Sequence, residues 1–266
     1  MVLPNPIVLT SASDFTPGES LSGHKFLFVN GFYFAALTTA TGSEMELLRL
    51  RTDLIRDGYS QVVSSSPDPT TDFFFAASPL KLAIGLFHPT NGHTVIQLNP
   101  TDFGVRTTVS IGGGAYPQKQ GSGAAWRTTD SVFELWTPDT LDFRGPSDLH
   151  RTLFNSSWSP TTPDTKPVND PAVVETRPTA VTVDGPTGVT VLHYVAADNP
   201  PLANPPGSGS IHRRLFDATG IEIPGSHKTL PRTSCNRPTS TILGNFLYLG
   251  YETPTGPIVE RYPLLR

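Results

Sequence analysis

The residues of this chain best suited to chemistry are cations that recur in one short context. Arg177-Pro178-Thr179 returns as Arg237-Pro238-Thr239, each directly ahead of an apolar run, and Lys25, Trp126 and Arg127 fall near the start of other apolar runs. Guanidinium groups present paired donors in a fixed fork, so several of them converging would suit a carboxylate, sulfate or phosphate. The competing role is structural, with the arginines bonding backbone carbonyls and tying neighbouring units together. Asp72 is the only acid in such a position, directly before Phe73. Tyr116, Trp126 and Trp158, together with Phe143, could stack on the apolar face of a sugar, although aromatic rings are more often core.

Other chemistry is poorly served. Glycoside hydrolysis needs an acid facing a base or nucleophile across the sugar, so Asp72 would need a loop acid such as Asp14, Glu19, Asp142 or Asp198. The sequence has no Gly-x-Ser-x-Gly elbow, no phosphate-binding glycine loop and no Ser-x-Asp-x-Gly-x-Thr-Trp turn; Gly112-Gly-Gly114 runs on into Ala-Tyr-Pro. His88 and His93 flank one turn without the carboxylate or cysteine neighbours of a zinc site, so no metal and no cofactor are expected. Cys235 is the single cysteine and cannot form an intramolecular disulfide. With 19 basic and 23 acidic residues interspersed and a net charge of −4, nothing suggests non-specific nucleic-acid binding. No apolar run approaches the roughly 18–20 residues that span a bilayer. The start lacks a basic region and is broken by Pro4 and Pro6, so no secretory leader is expected; a virion component or a leaderless secreted protein would have the same features.

The elements that must position these residues show in a repeat. Leu149-His-Arg-Thr-Leu-Phe-Asn155 returns as Ile211-His-Arg-Arg-Leu-Phe-Asp217, with looser copies at Glu46–Leu50, Thr94–Leu98 and Ile258–Tyr262. Each follows an apolar run that begins after a tight turn. The turns fall at Gly31, Pro79, Asp130, Gly185 and Gly244, which are 48, 51, 55 and 59 residues apart. With 27 Pro and 23 Gly, the chain is punctuated too often for long helices, and an all-β fold of short strands is expected. Asn30-Gly31 between two apolar runs is a strong hairpin signal. The segment 44–55 is ambiguous, since Met45, Leu48, Leu54 and Ile55 also suit an amphipathic helix; the repeat favours strands.

Units of this size and plan resemble five-bladed β-propellers as an architecture, without pointing to one family. The resemblance implies one domain over residues 1–266, with blades near 24–64, 72–111, 124–175, 177–228 and 237–265. The last unit is one strand short, and the N-terminal strand Asn5–Ser11 is expected to complete it and close the ring. An outer strand of the third blade is expected at Ala172–Glu175.

In such a ring the first strand of each blade lines a central channel, and the long loops share one face with the channel mouth. The expected function is therefore non-catalytic, lectin-like recognition of a glycan or glycoprotein receptor, as in a carbohydrate-binding protein or a viral or phage receptor-binding spike. Lys25, Asp72, Trp126, Arg127, Arg177, Arg237, Tyr116 and Trp158 form its binding set, and several copies in an oligomer would add avidity. The alternative is a compact glycoside hydrolase or lyase using Asp72 and a loop carboxylate. A protein-interaction platform is a second alternative.

Overall fold

The computed structural model describes residues 21–39, 44–53, 55–63, 73–88, 92–111, 123–138, 147–171, 173–183, 188–198 and 209–264. They form a five-bladed β-propeller. Blade one holds β1 (Leu21–Val29), β2 (Phe32–Thr39), β3 (Glu44–Leu50) and β4 (Arg56–Val63), paired in that order. Blade two holds β5 (Phe73–Ser78), β6 (Lys81–His88), β7 (Gly92–Leu98) and β8 (Val105–Ile111). Blade three holds β9 (Gly123–Arg127), β10 (Val132–Pro138), β11 (Leu149–Phe154) and β12 (Thr165–Val168). Blade four holds β13 (Val173–Val183), β14 (Val189–Asp198), β15 (Ser210–Phe216) and the two-residue β16 (Lys228–Thr229). Blade five has three strands among the described residues: β17 (Asn236–Leu243), β18 (Phe246–Thr253) and β19 (Gly256–Pro263). The expected closing strand, Asn5–Ser11, lies outside the described residues.

All pairings within the blades are antiparallel. The innermost strands close a ring: β1 meets β5 and β17, β5 meets β9, β9 meets β13, and β13 meets β17. No helix occurs among the described residues, and no helix is long and apolar enough to cross a membrane. The core lies between the blades, which is why so many strands are apolar on both faces. On β3, for example, Met45 and Leu47 join one buried cluster while Leu48 joins another. That alternation of two resolves residues 44–50 as a strand.

The repeat motif has a structural meaning. It is the third strand of a blade followed by a turn in which the amide oxygen of an Asn or a carboxylate oxygen of an Asp accepts backbone N–H bonds. Asn155 Oδ1 accepts from Ser157 N at 2.9 Å and Ser159 N at 3.0 Å, and Asp217 Oδ1 accepts from Thr219 N at 2.9 Å and Ile221 N at 3.0 Å. Asn99 and Asp53 do the same for Thr101 N and Ile55 N in blades two and one, both at 3.1 Å. In blades two to four a residue in this turn takes positive φ: Phe103, Trp158 and Gly220. Phe103 and Trp158 turn their rings back into the core. At Gly220 a Cβ would stand 2.1 Å from Arg151 Nη1, so a guanidinium fills the space that an aromatic ring fills elsewhere.

Two expectations are corrected. The outer strand of blade three is β12, earlier in sequence than Ala172–Glu175; Val173, Val174 and Glu175 instead pair with Asp198, Ala197 and Ala196 as the start of blade four. The Arg-Pro-Thr sequences mark β-bulges within an innermost strand rather than its first residues. Register shifts fall between Thr176 and Thr179 and between Asn236 and Thr239, and both arginines have positive φ, 51° at Arg177 and 46° at Arg237. Proline cannot donate to the ladder, so the extra residues are accommodated where no donor is required.

Candidate functional site: the central channel and the gap beside blade five

The axis of the ring holds a cavity of about 900 Å³, within the range of small-ligand sites. Its inner wall comes from the first strands, including Phe26, Phe75, Ala124, Thr179 and Thr241. The cavity also reaches outward between blades four and five, where Val191 on β14, Arg213 and Leu215 on β15, Leu247 on β18 and Tyr262 on β19 line it. Among the described residues no Asp, Glu or His lines it, and its charged side chains are Lys25 and Arg213. Lys25 Nζ lies 6.0 Å from the centroid of the Phe73 ring.

The structure separates the residues expected to act together. Lys25 and Trp126 line the cavity, with Trp126 on the last turn-proximal positions of β9 and packed edge-on against Phe133 at 4.8 Å. Arg127 is 1% exposed and is the last residue of β9, at the end away from the expected mouth, bonded to Asp130 at 2.7 Å. Trp158 is 2% exposed and stacks on Phe133 at 4.6 Å and Phe74 at 5.2 Å, so it is core rather than a sugar platform. Arg177 and Arg237 do not line the cavity, and Arg237 pairs with Glu252 at 3.3 Å. Asp72 and Tyr116 lie outside the described residues.

Ser240 is a cavity-lining polar residue that the sequence reading did not single out, and Arg213, which the sequence showed only as part of the third-strand repeat, lines the cavity with it. Ser240 Oγ lies 3.4 Å from His193 Nδ1 and donates to Thr179 Oγ1 at 3.3 Å. A serine beside a histidine suggests nucleophilic chemistry, but burial pushes the His193 imidazole down to about 3, and the positive charge of Arg213 adds to the effect. So weak a base does not activate a hydroxyl, and the pair is a polar brace in the cavity wall.

The neighbouring seam, between blades three and four, is built on buried charge. Glu134 is fully buried and accepts from Arg151 Nε, Trp136 Nε1 and, across the seam, Thr190 Oγ1, each at 2.8 Å. Arg127 Nη1 lies 3.5 Å from its second oxygen. Removing one partner from such a network costs about 3–5 kcal/mol by leaving charge buried and uncompensated. The two repeat histidines diverge: His150 Nδ1 contacts Asp164, whereas His212 Nδ1 meets His227 Nε2 at 2.9 Å. Among the described residues no group of three metal-binding side chains is assembled.

No family model matches the chain, and no curated protein matches it. Its likeness is to solved propellers. A thermostable family-43 glycoside hydrolase aligns over 92% of this chain and 89% of its own, with a TM-score of 0.60 and 10% identity. An alpha-L-arabinofuranosidase from Clostridium thermocellum aligns over 91% and 89%, with a TM-score of 0.55 and 11% identity. A triple arginine mutant of AofleA from Arthrobotrys oligospora aligns over 92% and 71%, with a TM-score of 0.55 and 11% identity. At these identities the likeness shows the fold. The expectation of a non-catalytic recognition protein is corrected, because the solved propellers that align over nearly their whole length include glycoside hydrolases.

Proposed function

We propose that this chain is a glycoside hydrolase that takes its glycan at the central channel. The observation carrying this reading is the cavity of about 900 Å³ on the axis of a ring that aligns over nine-tenths of its length with family-43 hydrolases. Glycan binding also suits the wall, which includes the aromatic residues Phe26 and Trp126 and the hydroxyl residues Thr179, Ser240 and Thr241.

The reaction needs two carboxyl groups, one donating a proton to the leaving oxygen and one acting as base or nucleophile. Since the described wall offers none, they must come from elsewhere in the chain. Asp72, the residue directly before β5, is the first candidate, with Asp142, Asp198, Asp14 or Glu19 as its partner. Turnover of aryl arabinofuranosides, galactosides and xylosides by the purified protein tests the reading. Asp72→Asn is expected to lower kcat by about 10²–10⁴-fold, the usual worth of a positioned acid or base. A wild-type protein inert on the whole panel, or an Asp72→Asn variant of undiminished activity, would reject it.

A further inference from the structure

The two clear copies of the repeat differ in how they treat one arginine. Arg151 in blade three and Arg213 in blade four occupy the same place, the third residue of Leu149–Phe154 and of its counterpart Ile211–Phe216. Each is paired across the sheet with a residue of the second strand, Trp136 for Arg151 and His193 for Arg213. Two residues before Trp136 stands Glu134, whose carboxylate holds Arg151 Nε at 2.8 Å. Two residues before His193 stands Val191. Blade four therefore keeps the cation and has replaced its internal counter-ion with an apolar side chain.

The replacement opens onto the cavity, because Arg213 and Val191 both line it. Arg213 Nε is buried and has no hydrogen-bond acceptor; the guanidinium lies 5.8 Å from the centre of the Tyr262 ring. A buried guanidinium N–H without an acceptor costs free energy that an incoming anion would recover. Lys25 is the other charged residue of the described wall.

We propose that the part of the cavity between blades four and five is an anion subsite. It takes a sugar residue bearing a carboxylate or sulfate group, whose oxygens accept from Arg213 as Glu134 accepts from Arg151, while the sugar ring packs beside Tyr262. This names the substrate class within the hydrolase reading and rests on that reading only for the carbohydrate, not for the anion.

The test is calorimetric titration of the purified protein with methyl glucuronide, glucose 6-sulfate and methyl glucoside at low and high salt. Wild type binds at least one anionic sugar tenfold or more tighter than the neutral one, with the advantage shrinking in salt; which anionic probe wins distinguishes carboxylate from sulfate. Arg213→Met abolishes the advantage. So does Val191→Glu, which keeps the arginine and restores the counter-ion of blade three, so the result does not depend on one variant folding. Equal affinities for the three sugars, no binding of any, or an advantage that survives in folded Val191→Glu overturns the inference. Turnover is scored separately with Asp72→Asn: an anionic preference without hydrolysis sinks the hydrolase reading alone, and hydrolysis without that preference sinks the subsite alone.

Discussion

Two carboxyl groups are fully buried near the seam between blades three and four, and they differ in company. Glu134 is wrapped by two arginines, an indole and a threonine. Glu175, on β13, has no well-formed hydrogen bond to either oxygen, the Leu149 backbone N–H making only a weak approach. Burial pushes its carboxyl up to about 8; Asp148 and Asp170 push the same way, while Arg214 and the Leu149 backbone pull against them. An unfolded glutamate gives up its proton near 4.5, so folding takes up a proton between these values. The stability this group allows is full below about pH 4.5 and falls as pH rises towards 8. Glu175→Gln, fixed in the neutral form, should melt with wild type near pH 4 and above it at pH 8, by on the order of 2–4 kcal/mol. Thermal unfolding at the two pH values decides it, and a gap that does not widen with pH refutes the cause assigned here.

At the scale of the element, the Arg-Pro-Thr repeat proved to be backbone architecture. Arg237 holds φ at 46° in a bulge, a conformation that costs a β-branched side chain most. Its exposed pair with Glu252 is worth about 0–1 kcal/mol. Arg237→Gly is therefore expected to leave the denaturant midpoint nearly unchanged, while Arg237→Val lowers stability by about 1–3 kcal/mol; equal effects from both would place the arginine's value in its side chain. The blades were legible because their determinants are local: Asn30-Gly31 with φ of 52° and 81°, strands separated by tight turns, and a third strand ending on an Asn or Asp that caps its own turn. What the sequence hid is relational. Trp158 looks like a loop aromatic until the Asn155 turn reverses it into the core, though its equivalence to Phe103, four residues beyond Asn99 where Trp158 stands three beyond Asn155, is a signal a repeat alignment contains. Arg213 looks identical to Arg151 until the neighbouring strand shows Val191 in place of Glu134. The same arginine is structural or available according to a residue 57 positions from its twin, Val191 against Glu134, and only pairing register reveals which.

At the scale of the whole molecule, the ring is uneven. β9 and β13 approach so closely that a Cβ on Gly123 would lie 2.4 Å from the Pro178 carbonyl oxygen, and the cluster of Trp136, Leu149, Leu192, Tyr194 and Phe216 fills the seam behind them. The next seam is different: the cavity enters it, and its buried cluster is the small group of Ile211, Cys235, Leu249 and Tyr251. Fewer apolar contacts mean a lower free energy of local opening. Native-state amide exchange should therefore protect β10, β13 and β14 to the global limit while β17–β19 exchange through a partial opening. A saturating anionic ligand should slow blade five selectively, because it joins the two walls of the gap. Uniform protection across the five blades would show that the cavity leaves the ring's cooperativity intact.

The gap beside blade five thus has a second consequence besides room for a ligand. A cavity that enters a seam weakens the ring where it lies, and here a sparsely packed seam and the proposed subsite coincide. Under the proposed hydrolase reading, a long glycan chain would leave sideways through the ring wall rather than by threading back along the bore, so that product length, rather than bond chemistry, would govern how fast the molecule resets.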